Sequence, residues 1–218
     1  SVCEEHIVNE SVDTEQHFKK IFLKELKKLP ESVKNDMSLT MVEDMREQGI
    51  LLAPLAIPAL REHFGEFELV SIEEKLYEPI TEFEDKEFKF KGFIDLVIKT
   101  PDDKYHVIDW KTCSWGWKHQ KKSDKMITYQ LTFYKHYFAL KHGISPDDVE
   151  THFALLKRTA KKDNVEIFRV SSGTKKTTNA LNLLKKALHN INQKKYLKNR
   201  NSCQTPFGPC EFWKTEHC

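Results

Sequence analysis

The stretch Lys91–Lys111, K-G-F-I-D-L-V-I-K-T-P-D-D-K-Y-H-V-I-D-W-K, constrains the fold more than any other part of the chain. Phe93 to Ile98 is an apolar run, and Tyr105 to Trp110 is a second run rich in β-formers. Pro101-Asp102-Asp103 between them is turn chemistry, so the stretch reads as a β-hairpin. Asp95 interrupts the first run, while Asp109 and Lys111 close the second. Residues two apart on a strand share a face. Asp109 and Lys111 therefore point the same way, and Asp95 can face them across the ladder.

An ionised carboxylate resists leaving water, so one inside an apolar strand is costly. Two that face each other are costlier unless a cation lies between them. A hard divalent ion with oxygen ligands removes that cost. A lysine beside the pair can then hold an attacking water and offset charge developing at phosphorus. An isolated D-x-K ordinarily means a surface ion pair. Here it follows a β-run, with G-x-I-D one hairpin upstream, and this favours the catalytic reading.

G-F-I-D followed by V-I-D-W-K-T resembles the core of the PD-(D/E)XK nucleases, most closely their RecB-like branch. The resemblance implies an α/β fold of restriction-endonuclease type, a central mixed β-sheet flanked by helices, as one domain over residues 1–218. It implies Asp95, Asp109 and His17 as ligands of Mg2+ or Mn2+, with the Trp110 carbonyl as a further ligand and Lys111 as the catalytic lysine. His17 comes from D-T-E-Q-H, which is similar to the family's G-T-x-x-H with Asp13 in place of glycine. Gln130 and Tyr134, in Y-Q-L-T-F-Y, match the branch's Q-x-x-x-Y. There the pair flanks the metal site and contacts the DNA strand or orients the lysine. The branch often has a glutamate on the strand before G-x-I-D. Glu73 or Glu74 fits that place, with Glu74 preferred.

The tail from Asn199 carries Cys203, Cys210 and Cys218, and Cys3 lies at the other end. One sub-branch holds a [4Fe–4S] cluster with one cysteine before the first helix and three at the C-terminus, stapling the two ends. Count and order agree here, but gaps of six and seven residues replace the familiar C-x-x-C. Four thiolates also suit Zn2+, with His217 able to replace one of them, and unligated cysteines are the remaining alternative. Cys113, after the catalytic strand, reads as a buried thiol.

Charge is divided along the chain. Residues 1–108 hold 14 Lys and Arg against 24 Asp and Glu, and residues 109–218 hold 21 against 9. The basic half is a footprint for a phosphate backbone. Within it, Trp115, Trp117, Lys118, Lys121 and Lys122 interleave aromatics with cations after the hairpin, and Lys157 and Arg158 form a basic turn. These are the candidate DNA contacts. No apolar run approaches the roughly 20 residues of a membrane span, and no signal peptide is visible. Five cysteines without a secretory signal point to reduced thiols or a metal centre in the cytosol, and the resemblance implies a bacterial or phage-infected host cell.

Helical spacing predicts one helix from Asp13 or Thr14 to Leu29 and another over 31–49, with Met37, Met41, Val42 and Met45 as core face. A short helix starting at Pro58, a strand over 66–80, and a long helix from Ser123 or Asp124 to Lys141 follow. Then come strands over 150–157 and 164–170 and a final helix burying Leu181, Leu184, Leu188 and Ile191. The implied activity is metal-dependent hydrolysis of DNA, by an exonuclease on ends or single strands in recombination, repair or phage DNA processing. The alternatives are an RNA or structure-specific endonuclease with the same metal site, a nucleic-acid-binding module without catalysis, and a structural metalloprotein. Oligomeric state carries no sequence signal.

Overall fold

The computed structural model describes residues 7, 12–81, 88–195, 203–205 and 208–216. The chain divides into two compact units, Ser1–Ala180 and Leu181–Cys218. Among the described residues, no helix is long and apolar enough to cross a membrane.

The first unit opens with α1 (Thr14–Lys28), α2 (Glu31–Asp36), α3 (Leu39–Leu52) and α4 (Ala56–Phe64). Asp13 caps α1 by accepting from the Gln16 N–H, and Pro30 follows its end. The single helix expected over 31–49 is broken, because Ser38 caps a new start through the Met41 N–H. Helix α4 accommodates Pro58 in its first turn, where a missing N–H costs nothing, and ends at Gly65 with φ 72°.

The expected methionine core face is corrected. Met41 and Met45 are exposed. Helix α3 meets α1 through Gly49, where a Cβ would come within 1.9 Å of the Phe18 ring. That close approach leaves Met45 on the wall of an open apolar cleft with Phe18, Phe22, Leu52 and Trp110.

The sheet runs in the order β1 (Glu68–Ile80), β2 (Phe88–Lys99), β3 (Tyr105–Cys113), β4 (Val149–Lys157), β5 (Val165–Arg169). All neighbours are antiparallel except β3 and β4, which are parallel. A parallel pair needs a long crossover, and this one contains α5 (His119–Ser123) and α6 (Lys125–His142). Asp124 caps α6 and Gly143, in the left-handed region, closes it. On one face of the sheet Ile57 and Leu60 of α4 pack on Leu96, Ile98, Ile108 and Ala154. On the other, α6 lies against β3 and β2 through Gln130 and Tyr134. This is the mixed, helix-flanked sheet the sequence predicts.

Helix α7 (Thr174–Asn192) crosses from the first unit into the second. Leu181, Leu184 and Leu188 are half-buried, but Ile191 is exposed, so the apolar stripe ends a turn early. The second unit also holds a hairpin of β6 (Gln204–Thr205) and β7 (Gly208–Pro209).

Candidate active site

The site forms where two strands part. Pairing of β2 with β3 runs from Lys99↔Tyr105 to Leu96↔Ile108 and goes no further. Beyond it, the Trp110 N–H has no β2 carbonyl to meet. The Asp95 carboxylate takes that place, accepting from Trp110 N over 2.7 Å. Asp109 and Lys111 follow on β3, on one face as their spacing predicts, with Lys111 Nζ 2.6 Å from Asp109 Oδ2. The contact is an ion pair without hydrogen-bond alignment, so among the described residues Oδ2 has no aligned donor.

The electrostatics are those of two crowded carboxylates. Burial and the negative charge of Asp109 push Asp95 up to about 6, against the Trp110 N–H and Lys111. Burial raises Asp109 too, although Lys111 works in the other direction. Asp109 is only 2% exposed. Raised carboxylates in a notch beside a lysine form a place where a divalent cation relieves repulsion, and these two residues fit one.

Helix α6 reaches the site through Gln130. Its Nε2 donates to Asp109 Oδ1 over 2.9 Å and to the Tyr134 hydroxyl over 3.1 Å. The Q-x-x-x-Y pair thus holds a carboxylate, where the family comparison suggested a DNA contact or a lysine orienter. Tyr134 in turn lies on Gly92, the glycine of G-F-I-D. A Cβ there would stand 2.8 Å from the ring.

The preferred glutamate of β1 has partners of its own. Glu74 is 8% exposed and is taken by Lys141 Nζ over 2.8 Å, His142 Nε2 over 2.6 Å, and the Ser71 hydroxyl. Burial opposes its charge, but these partners hold it below its ordinary value. Glu73 instead falls opposite Asp95, bracketed by Ile72↔Leu96 and Glu74↔Ile94, and its charge bears on Asp95. Glu73 has φ 50°, a strained value for a strand residue. Sequence reasoning had no signal for that kink.

His17 sits in the first turn of α1, half-buried. The three ligand atoms of His17, Asp95 and Asp109 are not gathered. Among the described residues only His106, Glu150 and His152 offer three ligand atoms all within 4.8 Å of one another. That cluster was not anticipated. Glu150 and His152 are two apart, but their meeting with His106 depends on a parallel register that the sequence does not reveal.

The candidate DNA contacts separate into two groups. Trp115, Lys118, Lys121 and Arg158 are exposed, and Lys121 Nζ lies 4.5 Å from the Trp117 ring centre. Trp117 itself packs on Phe153 and Phe168. Lys122 and Lys157 both pair with Glu166 on β5, which lowers the charge they offer a phosphate. The segment expected as a loop contains α5. Cys203 and Cys210 flank the β6–β7 hairpin, with the Cys210 N–H donating to the Cys203 carbonyl. Cys3 and Cys218, like His217, lie outside the described residues. Cys113 is half-buried.

A mixed sheet whose parted strands present Asp, Asp-x-Lys and a helical Gln-x-x-x-Tyr defines a nuclease core. The family model of the PD-(D/E)XK nuclease superfamily matches residues 5–215, and the chain belongs to that superfamily. Two solved structures are similar. One, SSO0001, is 16% identical, with a TM-score of 0.42, covering 81% of this chain and 85% of that one. Another, from Eubacterium rectale and named a "Putative exonuclease", is 12% identical with a TM-score of 0.44, covering 70% of this chain and 55% of that one. No curated protein matches.

Proposed function

We propose that this protein is a Mg2+- or Mn2+-dependent deoxyribonuclease of the RecB-like branch, acting as an exonuclease on DNA ends or single strands. One observation carries the reading. Asp95 and Asp109 share a half-buried notch in which Asp95 is raised to about 6, and Lys111 stands on Asp109.

Asp95 and Asp109 would hold the cation, with the Trp110 carbonyl as a further ligand the resemblance adds; His17, the remaining ligand it implies, would have to approach the two carboxylates to join them. The cation supplies Lewis-acid chemistry, lowering the pKa of a bound water and polarising a phosphoryl oxygen. The chain's own groups do the rest. Gln130 pins Asp109 by Oδ1 and leaves Oδ2 toward the notch. Lys111, partly exposed and already beside Oδ2, offsets negative charge as the phosphorus centre is attacked. Exposed Trp115, Lys118, Lys121 and Arg158 would carry the strand by stacking and backbone charge, a mode without base readout.

The resemblance also supports a [4Fe–4S] cluster on Cys3, Cys203, Cys210 and Cys218, with Zn2+ as the rival occupant. Brown protein with visible absorbance after anaerobic purification is expected. Colourless protein removes the cluster. Work in recombination, repair or phage DNA processing, inside a bacterial or phage-infected cell, follows from the same reading.

The test is cleavage of end-labelled linear and closed circular single-stranded DNA with Mg2+ or Mn2+. Degradation of the linear strand alone is expected. Cleavage of the closed circle overturns exonuclease action, and cleavage of RNA alone overturns the DNA assignment. Failure to cut either substrate with either ion overturns the enzyme.

A further inference from the structure

The geometry points to a second metal site, built by His106, Glu150 and His152 and taking one zinc ion with a structural role. It lies apart from the nucleolytic notch. His106 is the second residue of β3 and Asp109 the fifth, so by strand alternation the two side chains leave opposite faces. The parallel ladder sets His106 beside Glu150 and Ile108 beside His152. All three candidate ligands therefore share the face that carries Ile108.

The distances fit a small cation. His106 Nδ1 and His152 Nε2 are 3.1 Å apart. Glu150 Oε2 is 3.9 Å from the first and 3.8 Å from the second. A point equidistant from these three atoms lies about 2.1 Å from each, within the ~2.0–2.2 Å at which zinc holds imidazole nitrogen and carboxylate oxygen. The carboxylate contacts are too long for hydrogen bonds. Two imidazoles and one carboxylate are a zinc donor set, whereas Mg2+ and Ca2+ want oxygen throughout.

The surroundings prepare both rings to ligate. His106 Nε2 lies 2.9 Å from Thr100 Oγ1, whose own proton goes to Asp102 Oδ1. A hydroxyl has one proton to give, so the imidazole donates from Nε2 and presents Nδ1 bare. That chain of carboxylate, hydroxyl and imidazole is the outer support that metal-bound histidines ordinarily have. In the empty site His152 Nε2 donates to the bare His106 Nδ1; His152 Nδ1 has no hydrogen-bond partner among the described residues, so the proton can move there and leave Nε2 bare for the ion. Arg169 occupies only Glu150 Oε1, at 2.8 Å, which leaves Oε2 for the ion. Water or His63, whose ring centre is 5.9 Å from that of His152, completes the coordination.

The experiment is equilibrium dialysis of the metal-free full chain against buffered Zn2+. One retained equivalent is expected in Cys203→Ser/Cys210→Ser, which removes the thiolate site, and in the same protein carrying Asp95→Asn/Asp109→Asn. Glu150→Gln, which keeps the side chain's size, should weaken binding tenfold or more, and His106→Ala more still. Co2+ on Cys203→Ser/Cys210→Ser gives a second reading. Visible d–d bands without an intense thiolate charge-transfer band are expected. No retained zinc in the cysteine variant, retention there unaffected by Glu150→Gln, or a thiolate band from the single equivalent would each overturn the site. Failure of DNA cleavage leaves every one of these readouts unaltered.

Discussion

Gln130 on α6 donates to Asp109 on β3 over 2.9 Å, so a helix that never enters the sheet fixes the orientation of a carboxylate within it. The same nitrogen reaches the Tyr134 hydroxyl, which holds the amide from its other side. Removing this support leaves Asp109 Oδ1 without its donor. Gln130→Ala should lower cleavage about 10- to 100-fold while the fold survives. Single-turnover rates, set beside the far-UV circular dichroism of the variant, check this. Unchanged rates would mean that Asp109 needs no positioning.

Asp95→Asn should separate stability from activity. An ordinary aspartate titrates near 3.8, and Asp95 in the fold near 6. Between those pH values the folded chain keeps a proton that the unfolded chain has released, so this group's contribution to stability falls as pH rises. Without divalent metal, the variant should therefore match the parent at pH 4 and melt above it by pH 7, while cutting no DNA. Mn2+ should raise the melting temperature of the parent at pH 7 and hardly affect the variant. A melting difference that ignores pH would contradict the crowded-carboxylate account.

Glu74 gives the opposite sign. Its folded pKa lies below the ordinary 4.5, so its contribution to stability is present above that value and lost as pH falls through the folded one. Glu74→Gln should cost about 1.5–3 kcal/mol at neutral pH, the range for hydrogen bonds to a charged group, and much less in acid. Mn2+ affinity should be unchanged, since the carboxylate is engaged by Lys141 and His142. Urea denaturation at several pH values and Mn2+ titration decide it. Weakened Mn2+ binding would restore Glu74 as a ligand.

These contrasts show what the sequence could and could not disclose. Asp109 and Lys111 share a face because the strand period is two, a local property, and the reading of that face held. The choice between Glu73 and Glu74 depended on a positive φ at Glu73 and on where α6 ends, and neither is local. Lys122 and Lys157 looked available until β5 brought Glu166 between them. Met41 and Met45 had helical spacing but no partner to bury them, because Gly49 draws α1 onto another part of α3.

Lys111→Met keeps the length of the side chain and removes its charge. Asp109 then loses the one ammonium that offsets its burial, so its pKa should rise further. Cleavage should fall about 100-fold or more, the scale for losing a preorganised charge at an active site. DNA affinity measured with Ca2+ should change little, because the exposed cations lie elsewhere. A variant that binds weakly and cuts normally once saturated would make Lys111 a binding residue.

Gly92→Ala tests whether the first glycine of the motif serves Tyr134. Its added methyl would stand 2.8 Å from a ring that is only 8% exposed, so the ring must move. Overpacking of this kind costs about 1–3 kcal/mol. A displaced Tyr134 loosens Gln130 and, through it, Asp109, so cleavage should drop about tenfold even well below the melting temperature. In a Gln130→Ala background the link to Asp109 is already cut, and Gly92→Ala should then destabilise as before with little further loss of rate. Equal rate losses in both backgrounds would mean that the glycine acts on the site by some route other than Tyr134 and Gln130.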